Sequence, residues 1–229
     1  MTHQGKKYTK AHEALGQKKV FSLQEGVAKL KELAYARFDE SADVSVNLGI
    51  DAAKGDQAVR GSVLMPHGSG RSIKILVFAK GQYADQAEKA GADYVGAEDL
   101  IERIESGWLD FNYAIATPDL MGLVGKVARI LGPRGLLPNK KTGTVTFDIA
   151  STIADLKKGR LFFKNDKAGI VHFSFGKLSQ GSEKLADNLN AFLKALASSK
   201  PSTSKGKFIR KVTISSTMGP GLSVVADEF

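Results

Sequence analysis

The sequence predicts a mixed α/β and α+β protein of two domains, one built from both chain ends and the other a parallel α/β domain inserted between them. Three observations carry this. Toward the ends, strands alternate: Val44, Val46, Leu48 and Ile50 are interleaved with Asp43, Ser45, Asn47 and Gly49, the pattern of a sheet with one buried face. In the middle, Ile73–Ala79 and 111–116 are short apolar runs, broken only by Lys74 and Asn112, that alternate with helical segments, as in a parallel sheet covered on both faces. The texture switches at Pro66-His67-Gly68-Ser69-Gly70 and at Lys157-Lys158-Gly159, where turn residues cluster. The expected domains are therefore 1–67 with 160–229, and 68–159. Three consecutive small units would be the other arrangement, but the opening segment has too few strands to close a core alone.

Taken in order, the first twenty residues are basic and weakly patterned and read as an arm. Ser22-Leu-Gln-Glu25 is a capping box for a helix with Leu23, Val27, Leu30 and Ala34 on one face. Residues 37–41 connect it to the 43–50 strand, and a looser strand spans 59–65. In the middle, helices are expected over 82–90 and 97–107. Thr117-Pro118-Asp119 opens another, whose Leu120, Val124, Val127 and Leu131 form an apolar stripe and which Gly132-Pro133 should end. Residues 140–147 read as a strand, and Asp148 caps a helix through Leu156. Beyond Gly159, segments 160–164 and 170–175 flank the turn Asn165-Asp-Lys-Ala-Gly169 as a hairpin. Ser182 caps a helix with Leu185, Leu189, Phe192, Leu193 and Leu196 on one side. The last strand, 207–217, carries Phe208, Val212 and Ile214 on one face and Lys211, Thr213, Ser215 and Thr217 on the other.

The formal net charge of +9 favours a polyanionic partner. Residues 1–67 hold 10 basic against 8 acidic side chains, 68–159 hold 12 against 11, and 160–229 hold 11 against 5. The excess sits in the flanks, which directs nucleic-acid binding to the domain they would form. There is no cysteine, so disulfides and thiolate metal sites are excluded and a cytoplasmic protein is the simplest reading. No apolar run reaches the length of a membrane span, and Met1–Lys7 lacks the apolar segment of a signal peptide.

The stretch Gly132-Pro-Arg-Gly-Leu-Leu-Pro-Asn139 resembles the signature of the bacterial large-subunit ribosomal protein L-one family. Arg37-Phe38-Asp39-Glu40, Pro66-His67-Gly68, Ala90-Gly-Ala-Asp93, Gly107-Trp108, Asn165-Asp166-Lys167, Lys184-Leu-Ala-Asp-Asn188 and Thr217-Met218-Gly219-Pro220 also look like the family and follow its order. The resemblance implies the two-domain arrangement and binding of large-subunit rRNA at a mobile stalk by the end-built domain. It further implies a role in releasing exit-site tRNA, repression of translation of its own operon's mRNA, and a monomer when free. Carried over residue by residue, the RNA surface would comprise Arg37, Phe38 and Ser41 from the connector and Ser215, Thr217, Met218 and Gly219 from the end of the last strand. Lys167 would reach RNA from its turn. Arg37 and Ser41 stand where some relatives carry Lys and Thr, retaining the charge and the hydroxyl.

These residue types suit a structured RNA. Hydroxyls and backbone amides bond phosphate and 2′-OH groups, glycine admits close approach, and Phe38 and Met218 offer apolar contact with sugars or bases. As a contact, the Thr217 hydroxyl would be dispensable to folding. By residue type alone Phe38 reads as core, the Ser/Thr face as merely solvated and Lys167 as a hairpin tip. A general RNA-binding module outside the ribosome is the competing function. An enzyme is not expected. Gly68-Ser-Gly70 lacks the third glycine and the strand-to-helix context of a dinucleotide site, Gly132–Gly135 lies at the wrong end of a helix for phosphate, and His3, His12, His67 and His172 lack metal-ligand spacing. No catalytic residue, cofactor or metal is assigned.

Overall fold

The computed structural model describes residues 5–16, 20–204 and 206–225. In chain order its elements are α1 (Lys6–Leu15), β1 (Val20–Phe21), α2 (Leu23–Leu33), β2 (Ser41–Leu48), β3 (Arg60–Leu64), β4 (Ile75–Phe78), α3 (Gln82–Lys89), β5 (Tyr94–Gly96) and α4 (Glu98–Glu105). There follow β6 (Tyr113–Ala116), α5 (Met121–Val124), α6 (Ala128–Arg134), α7 (Ile149–Lys157), β7 (Arg160–Lys164), β8 (Ile170–Lys177), α8 (Ser182–Ser198), β9 (Ile209–Ser216) and β10 (Leu222–Val224). Contacts divide the chain into two compact units, one running up to Gly70 and from Leu161 on, the other Arg71–Arg160.

In the end-built unit a five-stranded sheet has the order β1-β10-β9-β2-β8, beside a two-stranded β3-β7 sheet. Ala42, Val44, Val46 and Leu48 of β2 are buried while Asn47 is exposed, as the period-2 pattern dictates. Helices α2 and α8 pack on each other and on this sheet. Val27, Leu30 and Leu33 meet Leu185, Leu189, Phe192 and Leu193 in one core, where Phe192 stacks on Phe173 with centroids 4.3 Å apart and meets Phe163 edge-on at 5.6 Å. The Ser22 hydroxyl accepts from the Glu25 N–H at 3.3 Å, capping α2.

In the other unit β4 lies between β5 and β6, parallel to both, and all four of its residues are buried. Leu76 and Phe78 join Leu100, Ile101 and Ile104 of α4 and Val124, Val127 and Leu131 in one core. Helices α3 and α7 pack together, and Asp148 caps α7 by accepting from Ser151 at 3.3 Å.

Several expectations change. The helix expected from Thr117 is broken into α5 and α6 by 3₁₀ turns at Pro118–Leu120 and Gly125–Val127, and Thr117 makes no capping bond; Gly122 and Gly125 weaken the continuous helix. Its end is not Gly132-Pro133. Gly135, at φ 71°, takes the left-handed position, its N–H reaching Gly132 O at 3.0 Å while Leu136 N–H reaches Leu131 O at 3.1 Å. Residues 140–147 form a 3₁₀ turn and a single parallel bridge, Ala116 to Val145, because the Thr144 hydroxyl and amide turn back on Asn139. The expected hairpin keeps its turn but splits: β7 pairs with β3 and β8 with β2. Gly181, not Ser182, occupies the N-cap of α8. Within the arm, Lys6–Leu15 is helical with Ala11 buried, whereas residues 1–4 and 17–19 lie outside the described residues.

Candidate nucleic-acid interface

The register of one strand pair assembles the site. Antiparallel β2 and β9 pair Ala42 with Ser216 and Asp43 with Ser215, so the start of β2 and the end of β9 share one end of the sheet. The connector before β2, residues 34–40, therefore lies beside the loop after β9, residues 217–221. The Ser41 N–H donates to Thr217 Oγ1 at 3.0 Å, and the Tyr35 hydroxyl donates to the Met218 carbonyl at 2.6 Å. Gly219 N–H donates to Ser216 Oγ at 3.1 Å; a Cβ on Gly219 would stand 2.5 Å from that oxygen, so only glycine fits without a shift.

Glu40 lies at the middle of this arrangement and is 2% exposed. One carboxylate oxygen accepts from Ala36 N–H at 2.9 Å and the other from Met218 N–H at 3.0 Å. Burial pushes its pKa up, but the Ser216 hydroxyl and the N–H groups of Met218, Ala36 and Tyr35 outweigh that and hold the carboxyl below its ordinary value. The neighbouring Asp39 is tied as well, its carboxylate accepting from the Ser179 N–H at 3.1 Å and hydroxyl at 2.8 Å and its carbonyl from Lys177 Nζ at 2.9 Å. With Glu40 buried and the exposed Asp39 carboxylate engaged by Ser179, Arg37, Phe38 and Met218 face out. Phe38 is 57% exposed and Met218 49% exposed, and Arg37 and Phe38 make no hydrogen bond, ion pair or ring contact among the described residues.

Six of the eight expected contact residues thus meet at one end of the sheet: Arg37, Phe38, Ser41, Thr217, Met218 and Gly219. Ser41 is buried at 7%, and Thr217 is exposed with its hydroxyl already engaged. Ser215 is half-buried one rung in, opposite Asp43 on the core-averted face, where Ser223, Thr213, Ser45 and His172 line up across four strands. Lys167 is elsewhere. Its turn follows Asn165 and leads into Ile170, which pairs with Asn47 at the far end of β2, roughly 20–25 Å away along the strand. Asp166 fixes that turn, accepting from Ile170 N–H at 2.7 Å and Ala168 N–H at 2.9 Å; the Ile170 bond is the main cause of its lowered pKa.

Residues 30–220, which include the connector and residues 217–220 of the loop, match the family described as Ribosomal protein L1p/L10e family. Over 224 residues, 98% of this chain and 95% of the relative, the sequence is also 49% identical to the large ribosomal subunit protein uL1 of Desulfotalea psychrophila. The chain belongs to the ribosomal protein L1p/L10e family.

In this L1p/L10e protein, reasoning from sequence missed Glu40 and Tyr35. Both act by hydrogen bonding to the Met218 backbone, Glu40 across 178 and Tyr35 across 183 residues of sequence separation, which residue type does not disclose. The available signal was the Asp39-Glu40 pair itself, an acidic dipeptide in the segment otherwise expected to meet a polyanion. Among the described residues no cluster of three or more His, Asp or Glu could hold a metal ion, and no helix is long and apolar enough to cross a membrane.

Proposed function

We propose that the cluster at the β2/β9 end of the sheet is the surface by which this ribosomal protein binds large-subunit rRNA. The observation that carries the reading is the pair of exposed apolar side chains, Phe38 and Met218, held on a frame of backbone hydrogen bonds next to Arg37. An exposed Phe on a hydrogen-bonded connector is not a packing residue, and beside a glycine and a cation it suits stacking or sugar contact in a folded RNA. Ser215 and Thr217 add hydroxyls at its edge, Ser41 supports it from beneath, and Lys167 extends the charged surface at the far end of β2.

Family resemblance extends the reading. The end-built domain, 1–67 with 160–229, would be the rRNA binder on the mobile stalk, and 68–159 an insertion contributing less. The protein would assist release of exit-site tRNA and repress its own operon by binding an mRNA that presents the same RNA shape. One surface suffices for both RNAs, because the mRNA is occupied once rRNA sites are filled. It would act as a monomer when free, without cofactor or metal.

The test is binding of the full chain to stalk rRNA and to an unrelated hairpin across a salt series, together with co-sedimentation with large subunits after a high-salt wash. Preference for stalk rRNA at every salt concentration and retention on the subunit are the expected results. Equal binding to both RNAs would favour a general RNA binder instead.

A further inference from the structure

Glu40 is a buried anion within a surface read as binding a polyanion, and its position resolves the conflict. At 2% exposure it is withdrawn from any ligand, and its charge is met by donors aimed at it from both segments that carry the candidate contacts. A carboxylate is an acceptor on both oxygens, which a glutamine is not: the amide has one acceptor oxygen, and its NH₂ would face a backbone N–H. Bonds to an ionised acceptor are also the stronger kind.

We propose that Glu40 is the positioning residue of the contact surface: by holding the Met218 amide on one oxygen and the Ala36 amide on the other, it presets the 217–219 loop against the connector that carries Phe38. The proposal rests on the reading that this cluster binds RNA. Tyr35 completes the clamp by donating to the Met218 carbonyl, so both the amide and the carbonyl of that residue are fixed by connector side chains. Without the clamp the loop would have to be ordered by the RNA itself, and affinity would fall although no contacting group had been removed.

The experiment measures stalk-rRNA affinity over a salt series and backbone amide hydrogen exchange of the free full-length protein, for wild type and E40Q. Expected for E40Q are an affinity loss on the order of ten-fold, the equivalent of about one hydrogen bond, and an unchanged salt slope, since no phosphate contact is lost. Exchange should quicken at Met218 and Ala36 while the amides pairing β2 with β9 keep their protection. Wild-type affinity and exchange in E40Q would overturn the proposal. So would exchange rising through β2 and β9 together with Met218, since Glu40 would then only hold the fold. Should E40Q fail to fold, Y35F decides, because it removes one bond to Met218 outside the core: weaker RNA binding with faster local exchange upholds the clamp, and unchanged binding overturns it. A wild-type chain that ignores stalk rRNA would defeat the RNA reading instead, while the exchange result, which needs no RNA, would still report whether the loop is preset.

Discussion

Phe38 and Thr217 stand a few residues from the same strand ends, yet they should respond to substitution in opposite ways. Phe38 is 57% exposed and touches no other ring, so Phe38→Ala should leave the unfolding midpoint within about 0.5 kcal/mol of wild type while weakening rRNA binding. A loss of about 3–5 kcal/mol in denaturant titration would restore the core reading that residue type alone suggests. Thr217 is exposed, but its hydroxyl accepts from Ser41 N–H at 3.0 Å. Thr217→Val keeps the shape and strands that amide at a buried residue, so a stability loss of about 1–3 kcal/mol should accompany weaker binding. The expectation that this hydroxyl is dispensable to folding therefore does not stand. Glu40 adds a pH dependence. Its pKa is below the ordinary 4.5, so its contribution is complete above pH 4.5 and is lost as pH falls through the lower folded-state value. The stability gap between wild type and E40Q, followed by urea unfolding, should be constant from pH 7 down to about 5 and shrink below 4.5; a gap that widened on acidification would contradict the assignment.

Elements differ in how far they could be read from sequence, and the difference follows from where their stabilisation arises. Strands β2 and β4 and helices α2, α7 and α8 carry their periodicity within themselves, and each has enough residues to display it. The two- and three-residue strands β1, β5 and β10 do not, since only their neighbours' hydrogen bonds define them. The same holds for 140–147, where an alternating pattern lost to one local ring of bonds around Asn139. The most recognisable stretch, 132–139, turns out to be a helix stop and a core anchor: Gly135 takes the left-handed position while Leu136 and Leu137 pack against the core of the inserted unit. Gly135→Ala should accordingly cost about 1 kcal/mol in thermal unfolding, because a Cβ is strained at φ 71°, and should leave rRNA affinity unchanged. The candidate site was legible as a set of residues through family resemblance. Its geometry was not, because pairing of Ala42 with Ser216 joins segments that no local pattern relates.

At the scale of the molecule, charge and chain path make a joint expectation. With the units divided after Gly70 and Arg160, the end-built unit holds 20 basic against 13 acidic side chains and the inserted unit 13 against 11. The segment leading to the division belongs with the first: fully buried Asn188 accepts from His67 N–H at 3.1 Å and donates to the carbonyls of Gly68 at 3.1 Å and Phe175 at 2.9 Å. A chain of residues 1–70 joined by a short linker to 161–229 keeps those bonds and the whole candidate surface. It should therefore fold and retain most rRNA affinity, whereas 71–160 alone should fold and bind weakly. Equal affinity of the two pieces would remove the assignment of binding to the flanks. Salt dependence then measures how far the RNA footprint runs along the sheet. Each phosphate contact releases counterions, so Arg37→Gln at the clustered end should lower the slope of log affinity against log salt by about one unit. Lys167→Gln tests the opposite end of β2. If the RNA spans the strand, the slope falls by a similar amount and the preference for stalk rRNA over an unrelated hairpin is retained, since a phosphate contact carries register but no sequence information. A slope identical to wild type would confine the RNA to the Phe38 and Met218 end and leave Lys167 as a residue of the turn that Asp166 fixes through Ala168 and Ile170.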